Sequence, residues 1–262
     1  MNSHHELRDL ALECVAVVTS SMNTHSLNER RSDFEKKSSS SDYVTSLDRY
    51  LESEIVQFIR KSRADDGILG EEGAVKPGTS GIRWIIDPID GTSNFVYGIP
   101  YFSISIAIEA AGDIVAGVVA DLSSNDIFDA VKGHGSRCNN ETINVNGNDS
   151  LQSAIVTTGF SYRSERREIQ GNMLQHILPR IGDIRRFGSA ALDLCWLASG
   201  RADAFYEEGL NLWDYAAGSL IVSEAGGTVR TVSLTKDINL LTATNAHLDK
   251  EFQILLSNSL QH

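Results

Sequence analysis

The sequence predicts a mixed α/β protein, an α+β arrangement in which helices and sheets form layers. Helical spacing opens the chain, in residues 6–22 and 44–62. After residue 80 the apolar residues follow the period of strands, in residues 83–86, 103–108 and 114–120. The second half alternates strand-like runs with helical ones, namely 154–158, 204–206 and 240–244 as strands and 190–198, 215–225 and 246–256 as helices. Such alternation is typical of mixed α/β layers.

The spacing of apolar residues supports the first helices and the central strands. The second helix has a stripe made of Val44, Leu47, Leu51, Ile55 and Ile59. In residues 103–108 every second residue is an isoleucine, as in a strand with one apolar face. Residues 25–41 are polar and end in four serines, so we expect a mobile loop between the two helices.

The length of the chain and its lack of repeats and long linkers predict a single domain over residues 1–262. The chain has only four prolines, and we find no internal repeat and no long linker. No run of about 18 apolar residues indicates a membrane span, and the mixed polar N-terminus does not resemble a secretory signal. The expected compartment is therefore the cytoplasm.

Charge and cysteine usage exclude some classes of function. The net charge of −12 makes nucleic acid an unlikely main partner, because phosphate backbones are bound by clustered Lys and Arg. Cys14, Cys138 and Cys195 are far apart and lie in no zinc-binding spacing. We expect three reduced thiols without a catalytic role.

The most informative segment is Asp87-Pro88-Ile89-Asp90-Gly91-Thr92, which follows an apolar strand. Pro88 stiffens the turn between the two acids, and Gly91 can adopt a positive φ that brings the backbone close to a ligand. Thr92 is a residue type that begins helices, where free N–H groups face an anion. A plain Asp-Pro and Asp-Gly turn is the alternative.

Two further acidic segments favour the ligand-binding interpretation. Glu71 lies in Gly70-Glu71-Glu72-Gly73, and Asp214 opens a helix far downstream. If Glu71, Asp87, Asp90 and Asp214 converge, four like charges meet, and bound cations are needed to offset their repulsion. Carboxylate and carbonyl oxygens favour Mg²⁺ over zinc.

Five motifs in this order resemble those of the inositol monophosphatase family. They are Asp42-Tyr43-Val44-Thr45-Ser46-Leu47-Asp48, Gly70-Glu71-Glu72, Asp87-Pro88-Ile89-Asp90-Gly91-Thr92, Gly188-Ser189-Ala190-Ala191-Leu192 and Trp213-Asp214-Tyr215-Ala216-Ala217-Gly218. The resemblance covers roughly residues 6–258 and implies an α-β-α-β-α sandwich, a homodimer, two to three Mg²⁺ ions per site and inhibition by lithium.

The resemblance also implies roles for individual residues. The metal ligands are Glu71, Asp87, the backbone carbonyl of Ile89, Asp90 and Asp214. Thr92 and Asp48, with Glu71 beside them, orient and deprotonate a metal-activated water that attacks the phosphorus in line. The residues that contact the substrate are Asp90, Gly91, Thr92, Gly188, Ser189, Ala190, Glu207 and Asp214. Lys37, or Lys36 in its place, belongs to the mobile active-site loop.

The resemblance predicts a phosphoric monoester hydrolase, and myo-inositol 1-phosphate is the leading substrate. Histidinol phosphate, fructose 1,6-bisphosphate and nucleotides such as NADP remain open, because the metal motifs do not separate them. A second phosphate would need cations, which Arg163, Arg166, Arg167, Arg185 and Arg186 could supply. A regulatory protein that binds transcription and RNA machinery is the alternative from another class.

Overall fold

The structure is a computed structural model that describes residues 3–22, 34–36, 43–235 and 238–259. These residues contain seven α-helices: α1 (His4–Met22), α2 (Ser46–Ser62), α3 (Thr92–Tyr97), α4 (Ser164–Ile177), α5 (Ala190–Ala198), α6 (Leu212–Glu224) and α7 (Asp249–Asn258). They also contain fifteen strands: β1 (Phe34–Lys36), β2 (Tyr43–Thr45), β3 (Gly67–Gly70), β4 (Val75–Lys76), β5 (Ile82–Asp90), β6 (Ser103–Ala110), β7 (Asp113–Asp121), β8 (Ile127–Val131), β9 (Ser136–Cys138), β10 (Glu141–Ile143), β11 (Ile155–Thr158), β12 (Asp183–Arg185), β13 (Ala204–Glu208), β14 (Thr228–Thr235) and β15 (Ile238–Thr244).

An eight-stranded sheet carries the first half of the chain. Its strand order is β10-β9-β8-β7-β6-β5-β3-β4. Only the β3–β5 pair is parallel, and the other neighbours run antiparallel. Successive side chains of a strand point to opposite faces, so Trp84 and Ile86 face α1 and α2 while Ile85 faces α5 and α6. Both faces of the central strands are therefore buried.

A five-stranded sheet carries the second half, in the order β12-β11-β13-β15-β14. One of its faces packs against α5 and α6 through Phe205 and Ala243, which belong to the same apolar cluster as Ile85. The other face packs against α4 and α7 through Val156 and Phe252. The resulting layers run α1/α2, large sheet, α5/α6, small sheet and α4/α7, which confirms the predicted α-β-α-β-α sandwich.

Most predicted elements are present, with shifted ends. The second helix begins at Ser46 rather than at residue 44, because Thr45 is extended (φ −110°, ψ 162°) and caps the helix. Helix α4, the eight-residue strand β14 and several short strands were not predicted. Helix α4 exposes much of its surface and carries a weak apolar stripe. Within the predicted mobile loop 25–41, residues 34–36 instead form strand β1, which pairs with β2, and the rest of the loop, including Lys37, lies outside the described residues.

Within the described ranges, no helix has the length and apolar character that crossing a membrane requires.

Candidate active site

The segment from Asp87 to Thr92 forms the end of β5 and the start of α3. Its pairing with β6 becomes irregular between Asp87 and Asp90, so the strand leaves its regular register there. Gly91 follows with φ +94°, and a Cβ at this position would lie 3.0 Å from the carbonyl oxygen of Tyr101. This confirms the predicted positive φ at Gly91, and the approach to a ligand stays a prediction.

This turn borders a cleft of about 440 Å³. Ten of the predicted site residues line it: Glu71, Asp87, Ile89, Asp90, Gly91, Thr92, Gly188, Ala190, Glu207 and Asp214. They come from the ends of β3, β5 and β13 and from the starts of α3, α5 and α6. The fold thus brings distant sequence segments to one place.

Burial and mutual repulsion perturb the acids of the cleft. Burial, followed by the charges of Glu71, Asp90 and Asp214, raises the pKa of Asp87 well above its usual range. Burial and the neighbouring charges also raise the pKa of Asp214. The pKa of Asp90 is raised to about 6 by burial, although hydrogen bonds from Ser189 and the Ala191 backbone oppose the shift. Such a site favours a bound cation.

The donor set fits a hard divalent cation. Asp87 Oδ1 is buried and has no hydrogen-bond partner among the described residues, so it is available as a metal ligand. The other predicted ligands, Glu71, Ile89, Asp90 and Asp214, also offer oxygen atoms, which suit Mg²⁺. In the described residues these side chains do not already form a group of three or more ligands around one point. The ligand set therefore remains a prediction. Carboxylates repel one another in the absence of a cation.

The structure brings Thr92 and Asp48 into contact. Thr92 Oγ1 lies 3.0 Å from Asp48 Oδ1 and 2.9 Å from the Ile89 carbonyl oxygen. Asp48 is buried behind Thr92 and also accepts hydrogen bonds from the backbone N–H and the hydroxyl of Thr45. Burial raises the pKa of Asp48 to about 6 against these hydrogen bonds. A hydroxyl paired with such a carboxylate can accept a hydrogen bond from, and orient, a water molecule.

Ser189 lies behind the cleft rather than on its wall. Its side chain is buried, donates to Asp90 Oδ2 at 2.6 Å and accepts from the Leu192 N–H at the start of α5. Asp90 Oδ2 also accepts from the Ala191 N–H at 2.7 Å. In this arrangement Ser189 holds Asp90 and caps α5, and its predicted contact with substrate remains untested.

Glu207 occupies the far wall of the cleft. Its carboxylate fills the space beside Gly159 so closely that a Cβ there would overlap it. Burial, followed by the charge of Asp90, raises the pKa of Glu207 to about 8, while Arg186 acts in the opposite direction. A protonated carboxyl at neutral pH can both donate and accept hydrogen bonds.

Several residues that shape the site were not predicted. Asn94 Nδ2 donates to the carbonyl oxygens of Tyr101 (2.8 Å) and Phe187 (2.7 Å), which ties α3 to the segment before Gly188. Tyr101 donates its hydroxyl to the buried Asp193 in α5 at 2.9 Å. Asp193 interrupts the apolar run of α5, and that mismatch is a signal available in the sequence, whereas Asn94 follows the polar Thr92 and Ser93 and gives none.

Comparisons with known proteins agree with this arrangement. The family model described as "Inositol monophosphatase family" matches residues 4–258. The chain therefore belongs to the inositol monophosphatase family. Membership implies a phosphatase, and the family is metal-dependent, generally with Mg²⁺.

Individual relatives carry two kinds of name. The Nus factor SuhB of Pasteurella multocida is 46% identical over 204 residues, which cover 77% of this chain and 76% of that protein. The inositol-1-monophosphatase SuhB of Mycobacterium tuberculosis is 43% identical over 202 residues, which cover 74% of this chain and 70% of that protein. The solved structure of the Thermotoga maritima IMPase matches with a TM-score of 0.86 and 34% identity, over 97% of each chain.

Proposed function

We propose that this protein hydrolyses a small phosphate monoester with Mg²⁺, and that myo-inositol 1-phosphate is its best substrate. The observation that carries the proposal is the Thr92–Asp48 hydrogen bond of 3.0 Å at the edge of an acidic cleft. The name of the Mycobacterium tuberculosis relative supports the same substrate.

The chain's own residues bind and orient the phosphate. Gly91 and Thr92 both line the cleft at the turn, so a phosphate oxygen can approach their backbone N–H groups. Two to three Mg²⁺ ions would be held by Glu71, Asp87, the Ile89 carbonyl, Asp90 and Asp214. The bound Mg²⁺ would supply Lewis-acid stabilisation of the charge that develops during hydrolysis. Lithium is proposed as an inhibitor on the family resemblance.

Thr92 and Asp48 position the attacking water and receive its proton. When the Thr92 hydroxyl donates to Asp48 Oδ1, its oxygen can still accept a hydrogen bond from a water in the cleft that Thr92 lines. Asp48 is the buried acceptor at the end of this pair, and its pKa of about 6 suits a general base near neutral pH. Glu71 borders the same part of the cleft.

The opposite wall is proposed to contact the alcohol part of the substrate. Gly188 and Ala190 offer backbone and small side chains at the start of α5, and Ser189 fixes Asp90 beside them. Glu207, whose pKa is raised to about 8, can donate a hydrogen bond to a substrate hydroxyl. Asp90 and Asp214 complete the set of groups for a polyhydroxylated ring.

The arginines argue against a bisphosphate substrate, because most of the candidates already have partners. Arg163 pairs with Glu165, Arg166 pairs with Glu208 and Arg185 pairs with Asp183. Arg167 donates to the carbonyl oxygens of Ser161 and Tyr162. A second phosphate therefore competes with existing contacts, which disfavours fructose 1,6-bisphosphate more than histidinol phosphate.

Phosphate release from a substrate panel tests the proposal. The panel contains inositol 1-phosphate, histidinol phosphate, fructose 1,6-bisphosphate, NADP and adenosine monophosphate, each with Mg²⁺ and with EDTA. We expect EDTA-sensitive release with the highest kcat/KM for inositol 1-phosphate. A higher kcat/KM for another ester would make that ester the proposed substrate in place of inositol 1-phosphate. Absence of EDTA-sensitive phosphate release from every ester would contradict the proposed activity.

The name Nus factor SuhB, carried by the Pasteurella multocida relative, supports a second candidate role in binding transcription or RNA machinery. The net charge of −12 favours a protein partner over RNA itself. Pulldown of RNA polymerase subunits at physiological salt tests this role, and retention of none contradicts it.

We further propose a cytoplasmic homodimer. Light scattering of the purified chain tests the dimer, and fractionation of cells tests the compartment.

A further inference from the structure

Helix α2 carries an acid whose position is unusual for a charged residue. Glu52 is only 5% exposed and stands on the buried side of the helix, beside Leu51 and close to Ile55. Buried carboxylates are costly unless they are hydrogen-bonded. The partners of Glu52 therefore indicate what it does.

Both carboxylate oxygens of Glu52 bind the loop that contains Glu71. Oε2 accepts from the backbone N–H of Glu72 at 2.8 Å, and Oε1 accepts from the backbone N–H of Ala74 at 3.0 Å. The same loop is closed by the Gly70 N–H, which donates to the Ala74 carbonyl oxygen at 2.7 Å. The carboxylate thus holds the loop from the inside through two charge-assisted hydrogen bonds.

The loop is shaped around this carboxylate. A Cβ added to Gly70 would overlap Glu52 Oε2, so the close approach of the two residues depends on glycine. On its other side the loop is attached to β5, because the Glu71 N–H donates to the Ile86 carbonyl oxygen at 3.1 Å. Glu71 is therefore held between β5, which carries Asp87, and α2, which carries Glu52.

The same helix also holds the other half of the site. Asp48 lies four residues before Glu52, one turn along α2, and accepts a hydrogen bond from Thr92. One rigid turn of helix therefore separates the residue that fixes Thr92 from the residue that fixes the Glu71 loop. We propose that Glu52 is a positioning residue that sets Glu71 for Mg²⁺ binding relative to the Thr92–Asp48 pair. This inference rests on the proposed function.

Magnesium affinity measured by calorimetry tests the inference without relying on turnover. Glu52→Gln keeps the size but can accept only one of the two N–H bonds with its carbonyl oxygen, and Glu52→Asp keeps the charge but is too short to reach both donors. We expect each variant to bind Mg²⁺ about 10-fold more weakly than wild type, with a matching rise in the Mg²⁺ concentration needed for half-maximal activity. Thermal unfolding in EDTA reports separately on loss of fold.

Glu54→Gln is the matched control. Glu54 lies on the same helix, the substitution makes the same charge change, and the Glu54 side chain has no hydrogen bond to any described residue. Its Mg²⁺ affinity should stay within about twofold of wild type, because the Glu54 side chain holds neither a predicted metal ligand nor the loop that carries one. If Glu54→Gln loses as much affinity as Glu52→Gln, net charge rather than loop position explains the effect, and the inference is wrong.

A double-mutant cycle with Glu71→Gln identifies the path of the effect. If Glu52 acts through Glu71, adding Glu52→Gln to Glu71→Gln should cause almost no further loss of Mg²⁺ affinity. Full additivity, or Glu52 variants that melt earlier but bind Mg²⁺ as wild type does, overturns the inference while leaving the proposed function intact. Wild-type protein that binds no Mg²⁺ instead contradicts the proposed function itself.

Discussion

Replacing Thr92 by valine removes one hydroxyl from the centre of the proposed mechanism. Valine has nearly the same shape, so the main loss is the single hydroxyl proton, for which Asp48 Oδ1 (3.0 Å) and the Ile89 carbonyl oxygen (2.9 Å) are both within hydrogen-bond distance. The backbone N–H of residue 92 and the glycine turn before it stay in place. Binding of the phosphate should therefore change much less than turnover.

The size of the effect follows from the role of the hydroxyl. Loss of a positioned general base or of the group that links it to water lowers kcat by roughly 10²–10⁴-fold. That loss corresponds to about 3–5 kcal/mol in the activation barrier. Stability should fall by only about 1–2 kcal/mol, because the Asp48 carboxylate keeps both hydrogen bonds from Thr45. Activity and stability are thus expected to separate clearly.

Steady-state kinetics with inositol 1-phosphate and urea unfolding measure the two quantities. Thr142→Val serves as the control, because Thr142 is exposed on the edge strand β10 and lies outside the cleft. We expect a large fall in kcat with KM changed by less than about threefold in Thr92→Val, and no change in the control. A Thr92→Val variant that keeps more than a tenth of wild-type kcat would refute the reasoning.

Three further changes test the electrostatics and geometry of the cleft. Asp87→Asn should raise the melting temperature in EDTA, because the substitution removes a buried acid that lies among like charges. The same variant should gain less stability from added Mg²⁺ than wild type does. A Mg²⁺ response equal to that of wild type would contradict the role of Asp87 as a ligand. Gly91→Ala should lower the free energy of unfolding in urea by about 1–3 kcal/mol, because φ is +94° and the new Cβ meets the Tyr101 carbonyl oxygen. Gly73→Ala is the control: its φ is +106°, but the space around it is free, so the loss should be smaller. Equal losses would show that the contact with Tyr101 is irrelevant. Between pH 4.5, the usual pKa of a glutamate, and about pH 8, Glu207 keeps its proton in the folded protein but loses it in the unfolded chain, so the free energy of unfolding in EDTA should fall as the pH rises through this range. Glu207→Gln should make this pH dependence less steep. An unaltered pH dependence would contradict the raised pKa of Glu207.

The sequence predicted the parts of the site that are encoded locally. Asp87 to Thr92 could be interpreted because a strand, two acids, a glycine and a helix start follow one another within a few residues. Glycine at position 91 was expected to take a positive φ, and the structure gives φ +94°. The period of the apolar residues predicted mixed α/β layers, because that period reflects burial in a core, and the α-β-α-β-α order was implied by the family resemblance.

Support from distant residues could not be predicted in the same way. Glu52 contacts the backbone of residues 72 and 74, and Asn94 joins two carbonyl groups 86 residues apart along the chain (Tyr101 and Phe187). Such contacts depend on how layers pack, and a hydrogen bond to a backbone N–H leaves no requirement on the identity of the partner residue. A charged residue in an apolar stripe is the only trace in the sequence, and it indicates burial without naming a partner.

The way each acid is held explains why the site can fold with so many like charges. Asp48, Asp90 and Asp214 each accept a hydrogen bond from a backbone N–H at the start of a helix, α2, α5 and α6 respectively. These N–H groups carry partial positive charge and lack partners within their own helices, so they stabilise a carboxylate before any ion binds. Asp87 differs, because it lies within β5 and its Oδ1 has no hydrogen-bond partner among the described residues. Of these four aspartates, Asp87 should therefore depend most on a bound cation.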